Sequence, residues 1–241
     1  MGRGYAGGMQ IDEYRASHHR ISELAIRLTD DQLETVVPTA PKWTVRDLLG
    51  HIVGVPSDLS MWPVGAEPPP IPPSDEYTAG QVERRRILSM SELLEEWDKS
   101  IPVFEARMAD WGRWNAPIHD VLCHEADIRG ALLLPRIPDE AWQASLDDWP
   151  SFLVECAPIL SRRWGLLQDT VAARVGDRTY TLGTGEPSAS VDVPDAYELW
   201  RAMFGGRSKR QIANWRWSSD PEPYLETLPF FYAPDEDVTE Q

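Results

Sequence analysis

Cysteine is nearly absent. Cys123 and Cys156 are the only two among 241 residues, too few for the disulfide framework that staples small secreted domains. This usage fits a reducing compartment, so the expected location is cytoplasmic. Basic residues are a minority, with 23 Lys and Arg against 39 Asp and Glu and a net charge of −16. Neither half of the chain is basic, which argues against nucleic acid as a partner, because phosphate binding needs a positive face. No apolar run reaches the roughly 18 residues of a membrane-spanning helix, and the opening MGRGYAGGMQ has no hydrophobic signal-peptide core. A membrane partner is therefore not expected either. No internal repeat is visible. Histidine is also sparse, at five residues, which keeps the search for metal ligands short.

Apolar residues make up 42% of the chain, enough at this length for a core without covalent staples. Ile11, Tyr14, Ile21, Leu24, Ala25 and Leu28 recur at near-helical spacing over 11–29, giving a first amphipathic helix. A short helix is expected over 30–36. Thr44 with Asp47 reads as a capping box ahead of the apolar stripe Val45, Leu48, Leu49 and Ile52, so a second long helix runs to about Leu59 and is ended or kinked by Pro56. The proline-rich stretch 62–77 reads as a loop that could cover a cleft. A helix resumes over 78–87. Ser89 with Glu92 caps a third core helix carrying Leu93, Leu94, Trp97, Ile101 and Phe104. Asn115 and Pro117 open a fourth, with Ile118, Val121, Leu122, Ile128 and Leu132. One or two helices follow over 139–164. The period then changes to strand-like runs at 170–174, 178–182 and 189–193, the first two flanking a Gly176-Asp177 hairpin signal. Pro194 starts a helix closed by Gly205-Gly206. The expected architecture is α+β. A helical bundle spans 9–150 and a small α+β domain spans 151–234, with residues 1–8 and the acidic tail 235–241 disordered.

His51, Asp120 and His124 form the set with chemical potential. Asp120 and His124 lie four apart, on one face of one helix. His51 lies at the edge of the second helix's apolar stripe. If those helices pack side by side, two imidazoles and a carboxylate converge, a donor set that suits Zn²⁺ with an open position, or Fe²⁺ or Mn²⁺. By itself an Asp/His pair four apart reads as an ordinary helix hydrogen bond. Asp127, three residues beyond His124, shares its face and is read either as a partner orienting the imidazole or as a salt bridge to Arg129 or Arg46. Glu125 points about 100° away from His124. His18 and His19 read as a solvated helix face, and His119 is out of phase with the stripe. Cys123, Cys156, Trp97 and Trp200 read as core.

The stretch WTVRDLLGHIVG, followed by DVLCHEADIRGAL, resembles the metal-binding bundle of the mycothiol-dependent maleylpyruvate isomerase family, within the wider DinB-like group of up-and-down four-helix bundles. Trp43 through His51 match the first family motif. Asp120, His124, Asp127 and Arg129 match the second, and YTLGTGEPSASVDVPDAYELWRAMFGGRS resembles the family's small C-terminal domain. The resemblance implies a divalent metal (zinc, or else iron, manganese or nickel) on His51, Asp120 and His124. It also implies mycothiol as thiol cofactor and an electrophilic small-molecule substrate. In the family's isomerase the thiolate adds to the double bond of maleylpyruvate, the bond rotates, and elimination gives fumarylpyruvate; S-transfer is the related activity. The family carries Glu where this chain has Asp120. Asp is one methylene shorter, so it must approach a metal more closely or bind it through water. Arg207 is the residue carried over to hold a substrate carboxylate by a bidentate fork. The expected assembly is a monomer or homodimer. The competing reading, different in class, is a metal- or ligand-binding regulatory or sensor protein that keeps the bundle without turnover.

Overall fold

The computed structural model describes residues 8–69, 73–112, 115–156, 170–183, 185–225 and 233–240. The chain forms two compact units: 1–37 with 42–128, and 38–41 with 129–241. The α+β class expected from the sequence is the observed one.

Four long helices dominate the first unit: α1 (Gly8–Ala25), α3 (Val45–Ser60), α5 (Met90–Trp111) and α6 (Ala116–Ala131), the last crossing the division after Ile128. Short elements α2 (Asp30–Leu33), β1 (Val36–Val37) and β2 (Ala40–Thr44) precede α3, and α4 (Asp75–Arg85) packs on it. The β1–β2 pair was not legible in the sequence, since strands of two and five residues are too short to show a period. Ser74 caps α4, so this helix starts at Asp75, three residues earlier than its pattern indicated.

Both expected capping boxes are present, Thr44 with Asp47 on α3 and Ser89 with Glu92 on α5. They satisfy backbone N–H groups that the first helical turn cannot pair. Pro56 lies inside α3, which continues to Ser60. The core forms where the stripes meet. Tyr14, Ser17, Ile21 and Ala25 of α1 are buried, as are Leu93, Trp97, Ser100, Phe104 and Met108 of α5. The Tyr14 and Phe104 rings lie 4.7 Å apart, and Trp97 Nε1 donates to the Tyr14 hydroxyl at 3.0 Å. His18, expected on a solvated face, instead packs edge-on against Trp97 and pairs with Asp98. Helix α6 is buried on most of its circumference, Glu125 included. A buried carboxylate needs compensation. Arg20 and Ser17 of α1 supply it, with Arg20 Nη2 at 2.7 Å and Ser17 Oγ donating at 2.7 Å.

Two glycines, Gly50 and Gly54, let α4 settle closely on α3. A Cβ at Gly54 would lie 2.8 Å from the Gln81 Cβ, inside van der Waals contact. One at Gly50 would lie 3.5 Å from the Arg85 Cβ, an ordinary distance.

In the second unit, α7 (Asp139–Cys156) packs against α8 (Ala196–Met203) and β4. It therefore belongs with the sheet rather than the bundle, and the division falls at 128 instead of near 150. Strands β3 (Thr170–Val175), β4 (Arg178–Leu182), β5 (Pro187–Asp192) and β6 (Arg216–Trp217) form one sheet in the order β4-β3-β5-β6. The β3–β4 hairpin turns at Gly176, whose φ of +54° is the left-handed conformation glycine adopts at low cost. β5 runs parallel to β3 and antiparallel to β6. Short helices α9 (Lys209–Ala213) and α10 (Glu222–Leu225) complete this unit. Trp200 is fully buried beside Tyr197 and Phe204, its Nε1 donating to Ser145 at 3.0 Å.

The acidic tail is ordered where it is described, contrary to the sequence reading. Val238 is buried, Asp237 pairs with Arg210 and Ser208, and Glu240 pairs with Arg201 at 2.7 Å and Arg207 at 3.2 Å. A string of acids resembles a solvated tail until its arginine partners, some thirty residues upstream, are brought against it. Residues 1–7, and the side chain of Cys156, lie outside the described residues.

Candidate metal centre

The capping box starts α3 at Val45, and the register from there places His51 among its buried residues. Helix α6 places Asp120 and His124 one turn apart. The two helices bring the His51 and His124 rings to a centroid separation of 5.1 Å, edge to face. Their Nε2 atoms address the same Asp120 oxygen: Oδ1 lies 3.7 Å from His51 Nε2 and 3.4 Å from His124 Nε2. One ligand atom from each residue falls within 4.8 Å of the others.

Two nitrogens and a carboxylate oxygen bound tetrahedrally to zinc at about 2.0–2.2 Å stand roughly 3.4 Å apart, so the observed spacings fit such an ion. The far side of each ring fits as well. His51 Nδ1 lies 2.9 Å from Gln81 Oε1, and His124 Nδ1 lies 2.9 Å from Asp127 Oδ2. An acceptor on Nδ1 leaves the Nε2 lone pair free for a cation, the usual arrangement around metal-bound histidine. His51 is buried, whereas the side chains of Asp120 and His124 keep 22% and 19% of their surface exposed, so the cluster is open on that side. The indole of Trp43 packs against the His51 ring at 5.1 Å.

Burial and the two carboxylates set the electrostatics of the cluster. Burial disfavours a charged His124, but Asp120 and then Asp127 outweigh it and push its pKa up to about 10. Burial likewise opposes the Asp120 carboxylate, and the neighbouring His124 imidazolium outweighs it and holds this group below the ordinary carboxylate range. His124 is therefore an imidazolium between two carboxylates, and any divalent ion taken up by its Nε2 would have to displace that proton.

Asp127 reaches His124, as the orienting alternative required. Cys123, His124 and Asp127 make a second candidate cluster. It shares His124, whose Nδ1 is already against Asp127, and the Cys123 thiol donates to the Asp120 carbonyl at 3.2 Å. His119 is buried outside both clusters. Gln81 was missed from the sequence, because a lone glutamine on a polar helix carries no periodic signal. The Gly50/Gly54 pair four apart on α3 was the available hint that another helix comes close there.

Arg207, which the sequence reading gave to a substrate carboxylate, is gripped by partners within the chain. Its side chain is 3% exposed and already committed to its own unit. Nε and Nη2 each donate to Glu198 at 2.6 Å, Nη2 also reaches Glu240, and Nη1 donates to the Gly206 carbonyl. This bidentate fork is the one foreseen, but the carboxylates it grips belong to the chain itself.

Among the described residues no helix is long and apolar enough to cross a membrane. No curated protein sequence matches the chain. Two solved structures resemble it over 90% of its length and 94% of theirs, both of a mycothiol-dependent maleylpyruvate isomerase. One carries a histidine-to-alanine substitution, with TM-score 0.51 at 12% identity; the other has TM-score 0.50 at 13% identity. At such identity the likeness establishes the fold. Residues 14–129 match the model of the mycothiol maleylpyruvate isomerase N-terminal domain. That span takes in α3 and α5 whole, most of α1 and α6, and the His51, Asp120 and His124 cluster, so the helical part of this chain is similar to the mycothiol maleylpyruvate isomerase N-terminal domain.

Proposed function

We propose that the protein is a divalent-metal-dependent, mycothiol-using enzyme, an isomerase or S-transferase acting on an electrophilic small molecule. His51, His124 and Asp120 would hold the metal, and zinc suits this nitrogen–oxygen set best. The observation that carries the reading is the convergence of both Nε2 atoms on one Asp120 oxygen, with each Nδ1 already facing an acceptor. A divalent ion bound there lowers the pKa of a thiol brought to it and makes thiolate available at neutral pH.

The residues of the chain have separate parts. Asp120 would supply the carboxylate, and its Oδ1 lies near enough to both imidazoles to do so without a bridging water. Its negative charge leaves a divalent site with one unit of positive charge, which a thiolate neutralises. Asp127 holds the His124 ring and tautomer. Trp43 packs the His51 ring from the side. Arg207 is given no part in this reading, because Glu198, Glu240 and the Gly206 carbonyl hold its buried guanidinium within the second unit. The partially exposed side of Asp120 and His124 is where the thiol would enter. The likeness in fold to a mycothiol-dependent isomerase supports mycothiol over other thiols.

Calorimetry with mycothiol on zinc-loaded and metal-stripped protein tests the reading. Binding to the loaded form alone is expected. Equal binding to both forms would place the thiol away from the cluster, and binding to neither would favour a non-thiol role.

A further inference from the structure

One hydrogen-bonded chain behind the cluster is not explained by metal ligation alone. Gln81 is almost fully buried. Its Oε1 faces His51 Nδ1 at 2.9 Å, while its Nε2 donates to Asp58 Oδ2 at 3.1 Å. Asp58 in turn lies 3.0 Å from Arg84 Nη2 and 3.7 Å from Arg85 Nη2, and Arg85 continues to Glu96 of α5 at 2.5 Å. Burial, and then the Asp58 carboxylate, push the Tyr77 phenol up to about 12. Asp58 is thus ringed by donors.

A primary amide is ambiguous, because its two ends can exchange by rotation; a carboxylate is not, because it only accepts. Asp58 therefore selects the NH₂ end of Gln81, which turns the carbonyl end toward His51. A carbonyl can only accept, so His51 Nδ1 must carry the hydrogen. In the neutral form of the ring, this leaves the lone pair on Nε2, the atom that faces Asp120. We infer that Gln81 is a positioning residue that sets the tautomer of His51, and that Asp58, anchored by Arg84 and Arg85, sets the orientation of Gln81. The relay lies inside the first unit and depends on the close approach of α4 to α3 at Gly54. Its value to metal binding rests on the proposed ligand role of His51, but the tautomer does not.

The test uses the full chain with ¹⁵N-labelled histidine, the His51 signals being assigned against His51→Ala. Long-range ¹H–¹⁵N spectra of the metal-free wild type should show neutral His51 protonated at Nδ1 and bare at Nε2. Gln81→Met, nearly the same size with no acceptor, should let the Nε2–H tautomer appear and should weaken zinc binding about 10–100-fold. Gln81→Glu keeps an acceptor and should hold both the Nδ1–H form and zinc affinity within a few-fold of wild type. Asp58→Asn frees the Gln81 amide to rotate and should give a mixed tautomer. A wild-type His51 protonated at Nε2 would overturn the inference even if no variant folds. So would Gln81→Met with an unchanged tautomer and unchanged zinc affinity. If the wild type takes up no zinc, the metal reading fails while the nitrogen shifts still decide the relay.

Discussion

The same substitution four residues apart on α3 should have opposite effects. At Gly54, an added Cβ would meet the Gln81 Cβ at 2.8 Å, the Gln81 Cγ at 3.1 Å and Arg85 Nη1 at 3.0 Å. Comfortable carbon–carbon separations are about 3.5–4.0 Å, so α4 must retreat by roughly 0.7 Å or more at that point. Overpacking of this kind costs about 1–3 kcal/mol. Alanine's advantage over glycine inside a helix returns about 1 kcal/mol, so Gly54→Ala should come out neutral to about 2 kcal/mol less stable. At Gly50 the nearest atom, the Arg85 Cβ, lies 3.5 Å away, and no overlap arises. Gly50→Ala should therefore gain up to about 1 kcal/mol from helix propensity alone. Urea denaturation of the two variants beside wild type, followed by far-ultraviolet dichroism, measures the difference. The steric account of how α4 is seated would be refuted by Gly54→Ala proving as stable as Gly50→Ala. Gly54→Ala should also weaken zinc binding, because Gln81 moves with α4.

Other consequences follow from the charges and the backbone. The raised pKa of His124 means that folding binds its proton more tightly; this contribution is complete below the ordinary imidazole value and fades as pH climbs toward about 10. Metal-free protein should thus lose thermal stability across that window relative to His124→Gln, and bound zinc, replacing the proton, should remove the loss; parallel pH profiles for the two metal-free proteins would argue against the imidazolium. Arg207→Ala leaves Glu240, 3% exposed, and Glu198 without their fork, and should destabilise the second unit by about 3–5 kcal/mol; an Arg207→Ala protein of wild-type stability in urea would mean the fork is not structural. Leu133 holds a φ of +51° directly after α6, in a position where glycine costs nothing, so Leu133→Gly should gain roughly 1 kcal/mol, and a loss of that size in the same titration would show that the leucine side chain earns its strain.

What could be read in advance depended on how local the cause was. The capping boxes at Thr44 and Ser89 and the Gly176 turn are written within a few residues and appear where expected, and the long helices appear with their ends shifted by a few residues. The candidate cluster was legible only in part. Asp120 and His124 share a helix, so their alignment follows from spacing, whereas the arrival of His51 beside them required two helices to pack at one register. Gln81 and the tail illustrate what sequence alone withholds. Gln81 acts through a close helix approach, and Glu240 is buried because Arg201 and Arg207 meet it from another part of the chain. Without that contact Arg207 looked free to take a substrate, and the tail looked free of the fold. Helix α7 was assigned to the bundle because helices preceded it; its partners are α8 and β4.

Metal content of the purified chain tests the central claim most directly. After zinc loading and removal of excess, mass spectrometry should find about one zinc ion per wild-type chain, and close to none in His51→Ala and His124→Ala chains confirmed as folded by dichroism. Equal zinc in all three proteins, or none in the wild type, would contradict the assignment of His51, Asp120 and His124 as the metal centre.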